Sequence, residues 1–469
     1  MTATSPHKRR GVVYFIGFTA ALAGLLFGLD VGVISGANHF IQHDFKISDR
    51  MIEFIVSALL WGAVLGAAVS GFFSDHFGRR KTILFSAVIF VIGSLACATA
   101  PVEHVLIVAR FFLGIAVGMA SFTAPLYLSE ISPEAVRGGM ISMYQLMITI
   151  GIVLAFASDT YLASYATIGG VTGGHWRMML GVISIPAAIM FLGVLFLPES
   201  PRWLCLKGRP TLAAEVFRRM HLDDAEIAAE IQAIEDSLKI KQNGWRMLVE
   251  NPNFRRAIAL GIGLQIIQQL TGINVLMYYA PRILQIAGFS TVIQQMWGTV
   301  IVGITNVLAT FIAIAFVDKI GRRPIMYAGF VTMGAAMITV GCLFNVGVEH
   351  DPSLGYPAVV ALLIFIIGFA MSAGPIIWVL CSEIYPLAGR DVGVTFSTCT
   401  NWIANAIVGM TFLSLLKDLG SGNTFLLYGG LNALFIVFFL LFVPETKGVS
   451  LERIEANLLS GMPLRKIGR

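Results

Sequence analysis

Asp75-His76-Phe77-Gly78-Arg79-Arg80 occurs twice in this chain, returning as Asp318-Lys319-Ile320-Gly321-Arg322-Arg323. Two further motifs repeat in the same order. Glu130-Ile131-Ser132-Pro133, followed by Arg137, returns as Glu383-Ile384-Tyr385-Pro386, followed by Arg390. Pro198-Glu199-Ser200 returns as Pro444-Glu445-Thr446. Each second copy lies about 250 residues after its first, a spacing that marks a duplicated architecture.

The sequence around these motifs is apolar. Hydrophobic residues make up 57% of the 469, and charged residues only 13%. Such a composition excludes an ordinary soluble protein and fits a polytopic membrane protein. Twelve apolar segments are predicted, from 12–36 to 424–443, with 54–74, 139–161, 257–280 and 357–381 among them. The fold class is therefore all-α, with twelve transmembrane helices in two six-helix halves related as parallel repeats. The expected division is 1–198 for the first half, 199–256 for a helical linker, 257–446 for the second half and 447–469 for a tail.

Charge sets the orientation. With the N-terminus in the cytoplasm, the opposite side receives only Lys46, Arg50, Arg282 and Lys417. Arg110 and Arg177 fall within segments, and every other Lys and Arg falls on the cytoplasmic side. This asymmetry predicts both termini inside. The basic tail Met1–Arg10 runs into a hydrophobic stretch with no small-residue cleavage site and reads as an uncleaved first helix. Because the basic residues flank membrane segments, the net charge of +5 does not point to nucleic acid. The five cysteines show no paired spacing, so neither a disulfide framework nor a metal site is expected. In the linker, Ile227, Ile231, Ile234 and Leu238 recur at helical spacing, and a second helix is expected over Thr211–Met220.

All six motif copies fall at cytoplasmic helix ends. Arg offers a planar fork to carboxylates, so Glu130 and Glu383 can clamp neighbouring arginines across helices. Arg79, Glu130, Arg137, Glu199, Arg322, Glu383, Arg390 and Glu445 are the candidate members of an ion-pair latch on that side. The plainer alternative is that these residues only signal topology. Deeper in the membrane, Asp30 is the one carboxylate read as lying well inside a segment, and Arg110 is its natural counter-charge. Charges inside a span are costly and mark function with a partner. A structural salt bridge is the plain reading; the functional one is a carboxyl whose proton affinity depends on whether Arg110 stands beside it.

The densest polar run within a segment is Gln265-Ile266-Ile267-Gln268-Gln269-Leu270-Thr271-Gly272-Ile273-Asn274. Gln265, Gln268, Gln269 and Gly272 share one helical face, from which Asn274 is absent if the helix is straight. Gly272 is therefore the expected break. Uncharged donors and acceptors in a membrane cavity suit a neutral polyhydroxylated ligand; amides gluing helix to helix are the plain alternative.

With its duplicated Gly-Arg-Arg motifs, Pro198-Glu199-Ser200-Pro201-Arg202, Gln268-Gln269…Gly272-Ile273-Asn274 and Pro444-Glu445-Thr446-Lys447, the chain resembles the sugar porters of the major facilitator superfamily over residues 12–455. Within that family it looks most like the bacterial galactose–proton symporter branch. The resemblance implies a sugar held between the halves by Gln145, Gln268, Gln269, Asn274, Asn306 and Asn401. Trp378 would be the stacking ring, and Phe27 and Tyr278 would edge the site. Asp at position 30 implies proton coupling, with Arg110 as partner, because passive carriers of the family commonly carry Asn there. Asn306 fits hexose-type members better than arabinose-type ones. The implied partners are a monosaccharide, a proton and the lipid bilayer of a bacterial inner membrane; no cofactor is implied, and the carrier would work as a monomer. A facilitative uniporter is the near alternative. A membrane sugar sensor would carry an appended signalling domain, and an enzyme would need a catalytic constellation that the apolar segments do not offer. The Gly-rich stretch Tyr161–His175 has no counterpart in this reading.

Overall fold

The computed structural model describes residues 6–132, 134–169, 175–220, 223–238, 244–348 and 351–468; side chains are described within these except at 6–14, 134–138, 141, 165–169, 237, 313–319 and 352. Among the described residues, twelve helices are long and apolar enough to cross a membrane. Spans 1 to 6 are Phe15–Phe45, Asp49–Phe77, Arg79–Ala98, Glu103–Ile131, Ser142–Ser164 and His175–Phe196. Spans 7 to 12 are Pro252–Ile286, Val292–Ile312, Arg322–Val346, Gly355–Ile384, Leu387–Leu419 and Ser421–Phe442. The two sets of six form the two halves. The Gly-Arg-Arg loops lie on one face, here the basic face, and the turns after spans 1, 7 and 11 lie on the opposite one.

Small residues let these helices approach closely, as is usual where no water drives association. A Cβ on Gly114 would stand 1.9 Å from the Leu59 carbonyl oxygen, which places spans 2 and 4 backbone to backbone. The halves touch through span 1 on span 7, span 2 on span 11 and span 5 on span 8.

Among its described residues the linker forms four helices, Pro201–Leu206, Pro210–Arg219, Asp224–Leu238 and Gly244–Glu250. The first is tied to the first half, with Trp203 Nε1 donating to the Asp75 carbonyl at 2.9 Å. The last lies on the second half, where Trp245 meets Phe396 with ring centroids 6.0 Å apart. Ile227 is buried on this bundle, as its spacing predicts.

One expectation is corrected, and three stretches gain detail. The fifth segment is matched by the span Ser142–Ser164, and its helix extends beyond it, over Glu134–Gly169, so much of the stretch before His175 is helical, while 170–174 fall outside the described residues. The corrected expectation concerns Asp30: Asp159, inside the fifth span, is fully buried with neither carboxylate oxygen hydrogen-bonded, so Asp30 is not the one carboxylate inside a span. The tenth span, Gly355–Ile384, carries a break at Ser372, between Gly355–Met371 and Ala373–Ile384. The tail also folds, as a helix over Leu451–Leu459 whose Glu455 accepts from the Leu387 amide at 3.0 Å.

Candidate functional site: an amide cluster and a buried ion pair

Span 7 starts as a capped helix. Pro252 occupies its first turn, where no N–H is needed, and the Asn251 side chain accepts from the Asn253 and Phe254 amides. It stops at Leu270 because Gly272 adopts φ 99, a left-handed conformation that costs other residues a clash at Cβ. The carbonyl freed at Thr271 accepts from Asn432 Nδ2 at 3.1 Å. A second helix, Ile273–Ile286, then starts from Gly272.

The break brings the amides together. Asn274, off the shared face in a straight helix, donates from Nδ2 to Gln269 Oε1. Gln269 Nε2 lies 3.4 Å from Gln268 Oε1. Gln268 Nε2 reaches the carbonyls of Ala373 and Gly374, at 2.8 and 3.1 Å, beside the break in span 10. Asn401 Nδ2 of span 11 donates to both Gln265 Oε1 and Gln268 Oε1 at 2.7 Å. Two discontinuous helices and span 11 thus meet in one amide network. Chains of this kind polarise one another, and each member offers a hydroxylated ligand both a donor and an acceptor.

Around the network, Tyr278 donates to Asn405 Oδ1 at 3.1 Å. Phe27 of span 1 tilts over Trp402, centroids 5.2 Å apart. Trp378 is 37% exposed on the helix that follows the span 10 break. Gln145 is half-buried and Asn306 buried, and neither side chain makes a hydrogen bond to another described residue. Sequence reasoning put Gln265 on the amide face but not among the sugar-holding residues, and it missed Asn405 and Trp402. The pattern Asn401-Trp402-Ile403-Ala404-Asn405 held the signal: positions four apart lie on one helical face.

Asp30 and Arg110 do meet. They are 0% and 1% exposed, with Arg110 Nη1 3.7 Å from Asp30 Oδ1. Arg110 Nε is anchored on the Ile55 carbonyl of span 2 at 2.8 Å. Neither oxygen of Asp30 has a hydrogen-bond partner. The pair is coupled by charge but not locked by geometry.

On the basic face the motif copies build two similar clusters. Arg79 clasps Glu130 with two bonds, at 2.8 and 2.9 Å, and Ser200 Oγ lies 2.5 Å from Glu130. Arg322 donates to Glu383 at 3.0 Å, and Thr446 Oγ1 lies 2.5 Å from the same carboxylate. Glu199 accepts from the Arg80 amide and Glu445 from those of Arg322 and Arg323, so each carboxylate caps a helix start. Gly78 and Gly321 are required beneath them, with φ of 100 and 105 and with carboxylate oxygens where a Cβ would reach. Burial pushes the Glu199 carboxyl above its ordinary range, against the pull of the Arg80 and Ser200 amides. At Glu445 burial acts the same way, but the amides of Arg323, Arg322 and Lys447 prevail and hold the carboxyl low. Each cluster lies within one half; among the described residues no ion pair joins the halves on this face. Arg390 heads span 11 beside Glu455 and Glu452 of the tail helix. The side chain of Arg137 falls outside the described residues.

Known proteins share this architecture. The family model of the sugar (and other) transporters matches residues 16–458. The chain is 56% identical over 461 residues to the galactose-proton symporter of Escherichia coli K12, covering 98% of this chain and 97% of that protein. It is 48% identical over 471 residues to the arabinose-proton symporter of the same strain, covering 100% and 98%. Among solved structures it resembles the E. coli xylose transporter XylE in a partially occluded inward-open conformation, with TM-score 0.82, 31% identity and coverage of 93% and 99%. Family match, near-complete alignment and twelve-span fold agree: the chain belongs to the sugar (and other) transporter family, the sugar porters of the major facilitator superfamily.

Proposed function

We propose that this chain is a proton-coupled monosaccharide symporter that imports a galactose- or glucose-type hexose by alternating access. The observation that carries the reading is the Asp30–Arg110 pair, a fully buried carboxylate 3.7 Å from an anchored guanidinium with no hydrogen bond to lock it. A carboxyl in that position exchanges its proton as the guanidinium approaches or withdraws. The amide network of Gln268, Gln269, Asn274 and Asn401 holds the sugar hydroxyls, with Gln145 and Asn306 adding contacts and Trp378 stacking on the pyranose. Phe27 and Tyr278 edge the site. Residues 1–198 and 257–446 act as the rocking halves, 199–256 as the linker and 447–469 as a tail. Both ends lie in the cytoplasm, the membrane is a bacterial inner membrane, one chain suffices, and the proton is the coupling ion with no further cofactor. The clusters around Glu130 and Glu383, with Arg79, Arg137, Glu199, Arg322, Arg390 and Glu445, form the cytoplasmic gate.

The similarity to the arabinose-proton symporter supports a second reading, in which the substrate is a pentose. Uptake of labelled galactose into energised vesicles, competed by unlabelled galactose, glucose, arabinose and xylose, separates the two. Galactose and glucose are expected to compete best, and a protonophore to abolish accumulation. Competition by the pentoses alone moves the substrate; accumulation that survives the protonophore contradicts proton coupling.

A further inference from the structure

On the opposite face a single carboxylate crosses from one half to the other. Glu53 lies near the start of span 2 and is 2% exposed. Its Oε1 accepts from the Ser414 amide N–H at 2.8 Å, and its Oε2 pairs with the Ser414 hydroxyl at 2.7 Å. Ser414 belongs to span 11. One turn deeper Gly409 has no side chain, and span 11 lies there against Val56 and Leu60. The other hydrogen bond between the halves among the described residues is also on this face, Asn38 Nδ2 to the Tyr278 carbonyl at 3.1 Å. Among the described residues none joins them on the basic face.

A buried carboxyl inside a span is costly and needs partners. Among the described residues no Lys or Arg forms an ion pair with Glu53, and both its side-chain bonds run to the other half. Parting spans 2 and 11 therefore strands it until water arrives, which penalises opening of this face. We propose that Glu53 is the latch of the opposite face, holding it shut through Ser414 and releasing it whenever the carrier opens outward. The inference rests on the alternating-access reading above. Glu53 is a positioning residue and touches neither the amide network nor the Asp30–Arg110 pair.

The chemistry demands one acceptor facing an amide N–H and a second polar atom facing a hydroxyl. Gln supplies both and Ala neither, while Ser414→Ala removes the hydroxyl and leaves the amide. Spin labels at 50 and 417, exposed at the opposite-face ends of spans 2 and 11, report the opening in the purified full-length protein without sugar. Glu53→Ala is expected to raise the open-to-closed ratio about tenfold or more, Ser414→Ala a few-fold, and Glu53→Gln by less than about twofold, in proportion to the bonds removed. If the unmutated carrier shows both populations and Glu53→Ala leaves them unchanged, the latch is overturned. Equal opening by Glu53→Gln and Glu53→Ala overturns it as well. A single distance in the unmutated carrier, with and without sugar, overturns alternating access itself and the latch with it.

Discussion

Gln268 holds the amide network together, since its two side-chain atoms reach span 10 and span 11 at once. Truncating Gln268 or Asn274 to Ala is expected to weaken sugar binding by about 0.5–1.5 kcal/mol each, and more where a hydroxyl is left unpaired. Calorimetry on the purified variants reads this directly, and unchanged binding in both removes the network from the site. Glu199 and Glu445 hold equivalent places yet differ in proton affinity. Burial raises Glu199, so its contribution to stability falls as pH rises from the unfolded value of about 4.3 through its higher folded value. Glu445 is held low by its amides, so its contribution is intact above that value and is lost only as pH drops through the folded one. Melting curves across pH are expected to show Glu199→Gln flattening the profile above the usual carboxylate range and Glu445→Gln changing it only below. The reverse order contradicts the assignment. Residue types were the most legible feature of the sequence: four amides in ten residues and a lone Asp–Arg pair announce themselves. Glu53 did not, because an isolated polar residue at a segment's edge looks like any helix end until its partner is in view.

At the scale of elements, the break in span 7 was legible and the one in span 10 was not. Gly272 stands amid apolar residues and provides the only conformation its turn allows, whereas Ser372 itself carries no such signature and is followed by Pro375, which has no N–H to continue the first helix. Gly272→Ala is expected to destabilise the protein by roughly 1–2 kcal/mol through its left-handed backbone. The new Cβ also meets Tyr428 at 3.1 Å, and straightening the helix carries Asn274 away from Gln269. A lower melting temperature together with weaker sugar binding supports this; a loss of stability alone leaves Asn274 outside the network. The helix at Leu451–Leu459 and the extension of span 5 to Gly169 escaped sequence reading for a shared reason. Both are short and mixed in polarity, and an isolated helix of that length is not announced by hydropathy.

For the molecule as a whole, the duplication was the strongest signal, because motifs in fixed order imply two copies of one half whatever the details of each helix. Which face is shut cannot be read that way, since the same residues serve both states. The structure has the halves joined on the opposite face, with the Glu130 and Glu383 clusters each kept within its own half. If these clusters help close the basic face in the alternate state, Glu383→Gln is expected to shift the sugar-free carrier further toward opening there. Distances between labels on the basic-face ends of the two halves test this, and an unchanged distribution leaves the motifs as topology signals. Coupling is also a property of the whole molecule: proton and sugar must favour the same closed form, and each then strengthens binding of the other. The most direct test replaces Asp30 with Asn, a permanent mimic of the neutral carboxyl, and follows labelled sugar and pH together in vesicles. The variant is expected to exchange sugar across the membrane, yet neither to accumulate it against a gradient nor to carry protons with it; accumulation of sugar by Asp30→Asn would contradict the account.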